Sequence, residues 1–355
     1  MVVPLDMALG IDGLPFKITI DMMLDITRRS INAHSYKEVV DIYKTDFNIT
    51  ISDDQIRLVT NYIGKIIYEE DCLERDKAIE HLKSITVESV RKRQLKGDVL
   101  YIEMDGGTIN TRKKVNNSSW KENKLEVVFS SNNLVKHTPK DGSPEYWSIG
   151  VREYISYFGE SDQFLDFLYS VALKHGLEEH RKIVIISDGA KWIKNFKTKY
   201  CSDLNCVHIL DYTHLKENIF KFANSYIKGT SEDKHKWANA LKELIKAGKK
   251  DEAIKMAEPY QDQKGDAVNI YSYLKNNYDS IDYPKYKEAN YFIGSGAVES
   301  GHKSTSKERM CLQGMRWCTD SGQYVLSSKM KYDSGLWHSY VVPLIHRRLA
   351  AIPLG

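Results

Sequence analysis

The chain has 355 residues, enough for two domains or one elaborated domain, and its 42% hydrophobic and 28% charged composition is that of an ordinary globular protein. A formal net charge of +3 excludes a bulk electrostatic case for nucleic acid, so any such case rests on how the charges are distributed. Five cysteines (Cys72, Cys201, Cys206, Cys311, Cys318) form no C-x-x-C pair, which argues for reduced thiols and against a disulfide framework.

The opening "MVVPLDMALGIDGLPF" has no basic region and no long apolar core, so it does not read as a signal peptide. No stretch approaches a membrane span, and the expectation is a cytoplasmic protein. Residues 1–96 then read as a helical region. In "SYKEVVDIYKT" Tyr36, Val39, Val40 and Tyr43 recur at helical spacing. "FNITISDDQIRLVTNYIGK" gives a β-prone link, an N-cap at Ser52 with Gln55 three residues on, and Ile56, Val59 and Ile63 on one face. Two short helices joined by a tight connection are helix-turn-helix-like, with Gln55, Arg57, Asn61 and Lys65 outward and available to DNA. Mere packing of the pair is the plainer alternative.

From residue 97 the texture changes to strands. "VLYIEMD" is followed by "KLEVVFSS" and by "EYWSIGVREYISYFG", three runs rich in Val, Ile, Tyr and Phe. The first is expected to end at Asp105, where Gly106 and Gly107 let the chain turn; an ordinary Asp-Gly hairpin turn is the alternative. "DQFLDFLYSVALKHG" reads as a helix stopping at Gly176. "KIVIISDGAKWI" is a second buried strand ending in Asp-Gly, at Asp188, and "VHILDYTHLKENIFKFA" is a shorter strand reaching Asp211 and entering a helix. The order predicts a mixed α/β sheet over residues 97–228. Residues 229–291 read as a helical insertion, with Trp237, Leu241, Leu244 and Ile245 at helical spacing. Residues 292–355 hold "IGSGAVESGHKSTSKERM", where Gly294 and Gly296 precede a helix carrying Glu299, His302 or Lys303, Ser306, and Arg309 or Met310 along one side.

Two strands of one sheet that each end in Asp-Gly bring carboxylates to one edge if the strands are neighbours. Paired carboxylates among cations suit divalent metal chemistry on phosphate, because oxygen ligands favour Mg²⁺ and a pair of ions clamps an in-line displacement. Glu299 supplies a third carboxylate. Basic clusters lie at residues 91–96, 181–199 and 301–317, each a solvated face on the plainer reading. Cys201, Cys206 and His208 have a spacing too irregular for known zinc patterns.

The chain resembles the transposases of bacterial insertion sequences with an RNase H-like catalytic domain and an Asp-Asp-Glu triad, of the Kra and Lre types. The resemblance lies in the strand end at Asp105, "SDGAKWI", "ILDYTHLKENI" and "GSGAVES…KERM…GMRW" in that order, with the upstream "SYKEVVDIY…ITISDDQIRLV". It implies an RNase H-like mixed sheet flanked by helices, with the triad on Asp105, Asp188 and Glu299. It further implies two Mg²⁺ ions, with Mn²⁺ as a substitute, and strand cleavage and strand transfer on DNA at element ends and a target, carried out by a homo-oligomer. Such chains usually begin with a longer region, often with metal-binding cysteines; this one starts close to "PLDMALGI". Asp211, His214 and His302 are auxiliary candidates, Asp211 being equally readable as a helix N-cap. Candidate DNA contacts are Arg57, Lys65, Lys191, Trp192, Lys303, Arg309 and Arg316. A nuclease that cuts without joining, and a DNA-binding protein that keeps the fold without chemistry, are the alternative readings.

Overall fold

A computed structural model of the chain describes residues 11, 13–86, 95–115 and 118–350, the side chains of 113–115 and of residue 191 aside. The sheet is mixed and five-stranded, in the order β5-β2-β1-β6-β7. Its strands are β1 (Lys96–Val115), β2 (Ser118–Ser130), β5 (Glu153–Tyr157), β6 (His180–Ser187) and β7 (Cys206–Leu210), and helices flank it. A separate ribbon pairs β3 (Leu134–His137) with β4 (Tyr146–Ile149) antiparallel. The run of residues 145–159 is therefore two strands in two sheets, not one. Gly150 and Arg152 separate them, and only the second half, β5, pairs with β2. Among the described residues no helix is long and apolar enough to cross a membrane.

The chain divides into two compact units. The first comprises Met1–Arg93, Gly106–Gly176 and Val298–Gly355. Its helices α1 (Ile20–Asn32), α2 (Tyr36–Phe47) and α3 (Asp53–Ser84) form where the spacing predicts helix, and Ser52 with Gln55 makes a complete capping box at the start of α3. The second helix of the expected short pair is nevertheless 32 residues long. Its apolar stripe of Ile56, Val59, Ile63 and Ile67 is fully buried, so packing continues the helix well past the length of a recognition helix. The link at residues 48–51, read as β-prone, holds no strand.

α3 packs against α1, against α4 (Ser161–Lys174) and, most extensively, against α13 (Thr319–Asp333). Gly64 allows that last approach: a Cβ there would run into the backbone carbonyl of Tyr324. α4 stops at Gly176, which holds the left-handed conformation (φ +81°) that ends the helix.

Between these elements lies a buried ionic cluster. The Lys331 ammonium sits 2.9 Å from Asp71 and 3.0 Å from Glu153, and Glu153 also accepts from Lys174 at 3.0 Å and faces His175 at 3.3 Å. Burial alone would discharge Lys331, yet Asp71, Glu153 and Glu74 hold its ammonium well above the ordinary lysine range. On β2, Glu126 is fully buried with neither carboxyl oxygen hydrogen-bonded, and burial followed by the Glu153 charge pushes it well above the ordinary carboxylate range.

The second unit comprises Gln94–Asp105 and Leu177–Ala297. β6 pairs in parallel with β7 and carries the apolar stretch of Ile183, Val184, Ile185 and Ile186, none of it exposed. Helices α5 (Lys191–Tyr200) and α6 (Tyr212–Tyr226) follow β6 and β7, and α7 (Ser231–Lys246) packs on α6. α8 (Lys250–Ala257), α9 (Ile270–Asn276) and α10 (Tyr283–Glu288) complete a helical segment whose core includes Leu241, Ile245, Leu274 and Tyr283.

Lys331→Met removes one cation from two buried carboxylates. It is expected to lower unfolding free energy by about 3–5 kcal/mol in chemical denaturation, the usual cost of breaking a buried pair from one side. Adding Asp71→Asn and Glu153→Gln should recover part of that loss.

Candidate active site

The three parallel strands of the second unit share one level. β1 pairs with β6 so that Ile102 faces Ile185 and Met104 faces Ser187, and β6 pairs with β7 so that Ser187 faces Leu210. One step beyond that row come Asp105, Asp188 and Asp211. Three aspartates thus follow in register, Asp188 and Asp211 at the carboxyl ends of β6 and β7 and Asp105 just past the stretch of β1 that pairs with β6, the edge where open α/β sheets bind ligands.

The three are held differently. At Asp105 the strand does not end: β1 runs on through Gly106 and Gly107 to Val115, and no Asp-Gly turn forms there. Continued pairing of the strand, with Thr111 bridging Trp317, overrides the local turn preference. At Asp188 the turn is real. Gly189 has φ +85°, a Cβ there would collide with Leu210 and Asn277, and the Asp188 carboxylate accepts the Ala190 N–H at 2.9 Å. The Tyr273 hydroxyl donates to the Asp188 carbonyl at 2.8 Å, fixing the same turn from α9.

Asp211 is fully buried, and both its oxygens are already in use. One accepts the N–H groups of Thr213 and His214 as the N-cap of α6, and the other accepts the backbone N–H (3.0 Å) and the hydroxyl of Ser295. Four donors fill the acceptor capacity of a carboxylate. Asp211 is therefore foremost a clasp between α6 and the segment before α11 (Gly296–Gly301), a segment also held where Tyr212 donates to the Ile293 carbonyl at 2.9 Å. His214 is half-buried on the first turn of α6; a ring nitrogen of it and an Asp211 oxygen lie within 4.8 Å of each other.

A residue that sequence reasoning passed over joins this arrangement. Glu103, 2% exposed, sits on β1 two residues before Asp105 and accepts the Ala297 N–H at 2.9 Å, at the first turn of α11. Its signal is the single charge inside the apolar run "YIEMD", where a strand buried on both faces has no solvent for a carboxylate.

In the first unit the chain continues from α11 into a π-helical stretch (His302–Lys307) and the short α12 (Glu308–Met310). The expectation of one α-helical face carrying Glu299, His302 or Lys303, Ser306, and Arg309 or Met310 is corrected by that stretch. Its i→i+5 bonding, closed by the Glu308 N–H on the Lys303 carbonyl, shifts the helical phase. Glu299, Lys303 and Lys307 are exposed, whereas His302, Ser306, Arg309 and Met310 are buried. His302 packs against β1: a Cβ on Gly107 would lie 3.1 Å from its ring.

The other candidates scatter. Arg57, Arg309 and Arg316 line one cleft of the first unit. Lys65 is exposed and pairs with Glu69 at 3.6 Å, and Asn61 is turned inward, donating to Ser321 at 3.3 Å. Lys303 stands in solvent and Trp192 is half-buried. The side chain of Lys191 and residues 91–94 of the first basic cluster lie outside the described residues. Trp317 is buried, its indole N–H donating to the Met310 carbonyl at 3.0 Å.

Residues 3–329 match the family described as Uncharacterised protein family (UPF0236). The chain belongs to that family. No curated protein matches it.

One grouping in this UPF0236 chain is decided against zinc by its hydrogen bonds. His208 uses Nε2 with the Ser187 hydroxyl at 2.8 Å and Nδ1 with the Ser280 hydroxyl at 2.9 Å, leaving no nitrogen for a metal beside Cys201 and Cys206. Burial, with Lys197 and Lys194 nearby, pushes the imidazole down to about 4 from its ordinary 6.5. The unfolded chain therefore takes up a proton that the folded chain refuses. The contribution of His208 is present above about pH 6.5 and lost as pH falls toward 4, at about 1.4 kcal/mol per unit. His208→Gln should flatten that segment of the curve when the denaturation midpoint is followed from pH 7.5 to 4.5.

Proposed function

We propose that the chain is a transposase of the Asp-Asp-Glu class, cutting the DNA ends of an insertion sequence and joining them to target DNA in the cytoplasm, as an oligomer on its substrate. The observation that carries the reading is the common level of Asp105 and Asp188, one step past the row where β1 and β6 pair in parallel. Glu103 and Gly107, two residues to either side of Asp105, each contact the segment that bears Glu299, through Ala297 and His302 respectively. These contacts support Glu299 as the third carboxylate.

The donor set fits a hard divalent cation. Asp105, Asp188 and Glu299 offer carboxylate oxygens only, the ligand class that suits Mg²⁺ or Mn²⁺ rather than zinc. When bound there, a pair of such ions would supply Lewis-acid stabilisation of the charge that develops on phosphate oxygens. The protein's own part is positional. β1 and β6 fix the spacing of two carboxylates through backbone pairing, and the turn at Gly189 holds Asp188 by its bond to Ala190. Glu103 and Asp211 hold the entry into α11, so that Glu299 leaves a segment anchored at both Ser295 and Ala297. No Ser, Cys or Tyr nucleophile is called for, since water would cut the strand and the freed DNA 3′-hydroxyl would join it to target phosphate.

The test is a reaction of purified protein, Mg²⁺, element-end DNA and a supercoiled target. The unsubstituted chain should yield joined products. Asp105→Asn, Asp188→Asn and Glu299→Gln should each lower cleavage and joining by about a thousandfold or more, because several kcal/mol of transition-state stabilisation is withdrawn. Binding of the same DNA should survive. Nicked but unjoined products would make the chain a nuclease, and full cleavage by Asp188→Asn would overturn the reading.

A further inference from the structure

The first unit holds a cleft of about 540 Å³ that the carboxylates do not use, lined by Arg57, Arg112, Arg309 and Arg316 with Tyr36 and Trp317. Asp54 is the one acid on its wall, and it is already paired with Arg57 at 2.9 Å. The size falls within the range of small-ligand sites, of the order of 300–1,000 Å³.

Arg309 is the informative residue. It is 3% exposed, and its guanidinium lies over two rings, 5.1 Å from the Tyr36 centroid and 5.0 Å from that of Trp317. Its Nε donates to the Ser30 carbonyl at 2.8 Å, whereas Nη2 is buried with no hydrogen-bond partner. Glu38, the acid whose charge acts on it, is engaged by the His34 N–H at 2.8 Å. A buried guanidinium with an unused donor, held against two aromatic rings, is costly unless an anion completes it. Arg112 and Arg316 stand exposed at the same cleft and are tied to each other where Arg112 Nε meets the Arg316 carbonyl at 3.4 Å.

We propose that this cleft is a phosphate-binding site that seats one nucleotide at the 5′ end of a DNA strand. Arg309 accounts for the buried end of the phosphate, Arg112 and Arg316 for its solvent side, and the aromatic walls for the attached nucleoside. Guanidinium groups recognise phosphate through paired, charge-assisted hydrogen bonds, which fits a site with four arginines against one acid. That the strand is DNA rests on the function proposed above; that the site takes a phosphate does not.

The test uses the full chain in EDTA, so that no catalysis enters, with a 3′-labelled oligothymidine of eight residues followed by fluorescence anisotropy. The 5′-phosphorylated form should bind about tenfold or more tightly than the same strand without its phosphate, the scale of one charged hydrogen-bond pair. Arg112→Ala with Arg316→Ala, both at exposed positions, should erase that preference. The pair should also reduce the salt slope by about 0.7, the release expected for one phosphate on a single strand. Arg309→Met should do the same; if it melts early, the exposed pair alone decides. An unchanged affinity and slope in the exposed pair would overturn the site. Displacement of the strand by inorganic phosphate as readily as by thymidine monophosphate would reduce it to a bare anion site and overturn the nucleotide. No phosphate preference in the unsubstituted chain, with carboxylate-dependent cleavage intact, would sink this inference alone. Preference kept without any cleavage would sink only the proposed function.

Discussion

The parallel register of β1 on β6 is the constraint from which the chemistry follows. In a strand the side chains alternate, so a slip of one residue would turn Asp105 to the opposite face and bring Met104 to the level of Asp188. What prevents the slip is the continuous burial of Leu100, Tyr101, Ile102 and Met104 against Ile183, Val184, Ile185 and Ile186, all of which sit at 2% exposure or less. Side ties add to it: His180 faces Asp98 at 3.0 Å and Lys96 faces Glu179 at 2.6 Å, both on the pair of strands itself. The acidic edge is thus specified by an apolar row that contains no functional residue.

The same edge shows carboxylates divided between two tasks. Asp211 lies at the level of Asp105 and Asp188, yet its oxygens are saturated by four donors, while Glu103 is turned to the N–H of Ala297. Both stabilise a helix start whose unpaired N–H groups would otherwise be buried. An aspartate at a strand end is therefore no guide to chemistry until its hydrogen bonds are counted. Saturated acids hold the frame.

Much of the fold was legible because apolar periodicity reports burial directly. The helix after Ser52, the helix ending at Gly176 and the strand before Asp188 all form where spacing and capping residues predict them. The failures have separate physical causes. The glycines after Asp105 suggested a turn, but strand pairing out to Val115 gains more than the local preference offers, and the same dipeptide at Asp188 turns because Gly189 alone fits against Leu210 and Asn277. The run from Tyr146 to Phe158 looked like one strand since nothing local marks a change of sheet. The depth of Arg309 was hidden because a π-helical stretch has no sequence period by which to recognise it.

That stretch explains how one short segment serves two surfaces. Between Glu299 and Arg309 an unbroken α-helix keeps a fixed phase, and the expected face carried both. The i→i+5 turn from His302 to Lys307 inserts extra backbone, after which the buried side takes Arg309 and Met310 while Glu299, Lys303 and Lys307 remain in solvent. Such turns are uncommon and weaken a helix locally, so their persistence calls for a compensating gain. Here the gains are visible on the buried side. Asn123 donates to the Ser306 hydroxyl at 3.0 Å, Arg309 reaches the Ser30 carbonyl, and Trp317 reaches the Met310 carbonyl, each at or below 3.0 Å. The helix gives up regularity so that a carboxylate and a guanidinium ten residues apart face different environments, one wet and one dry.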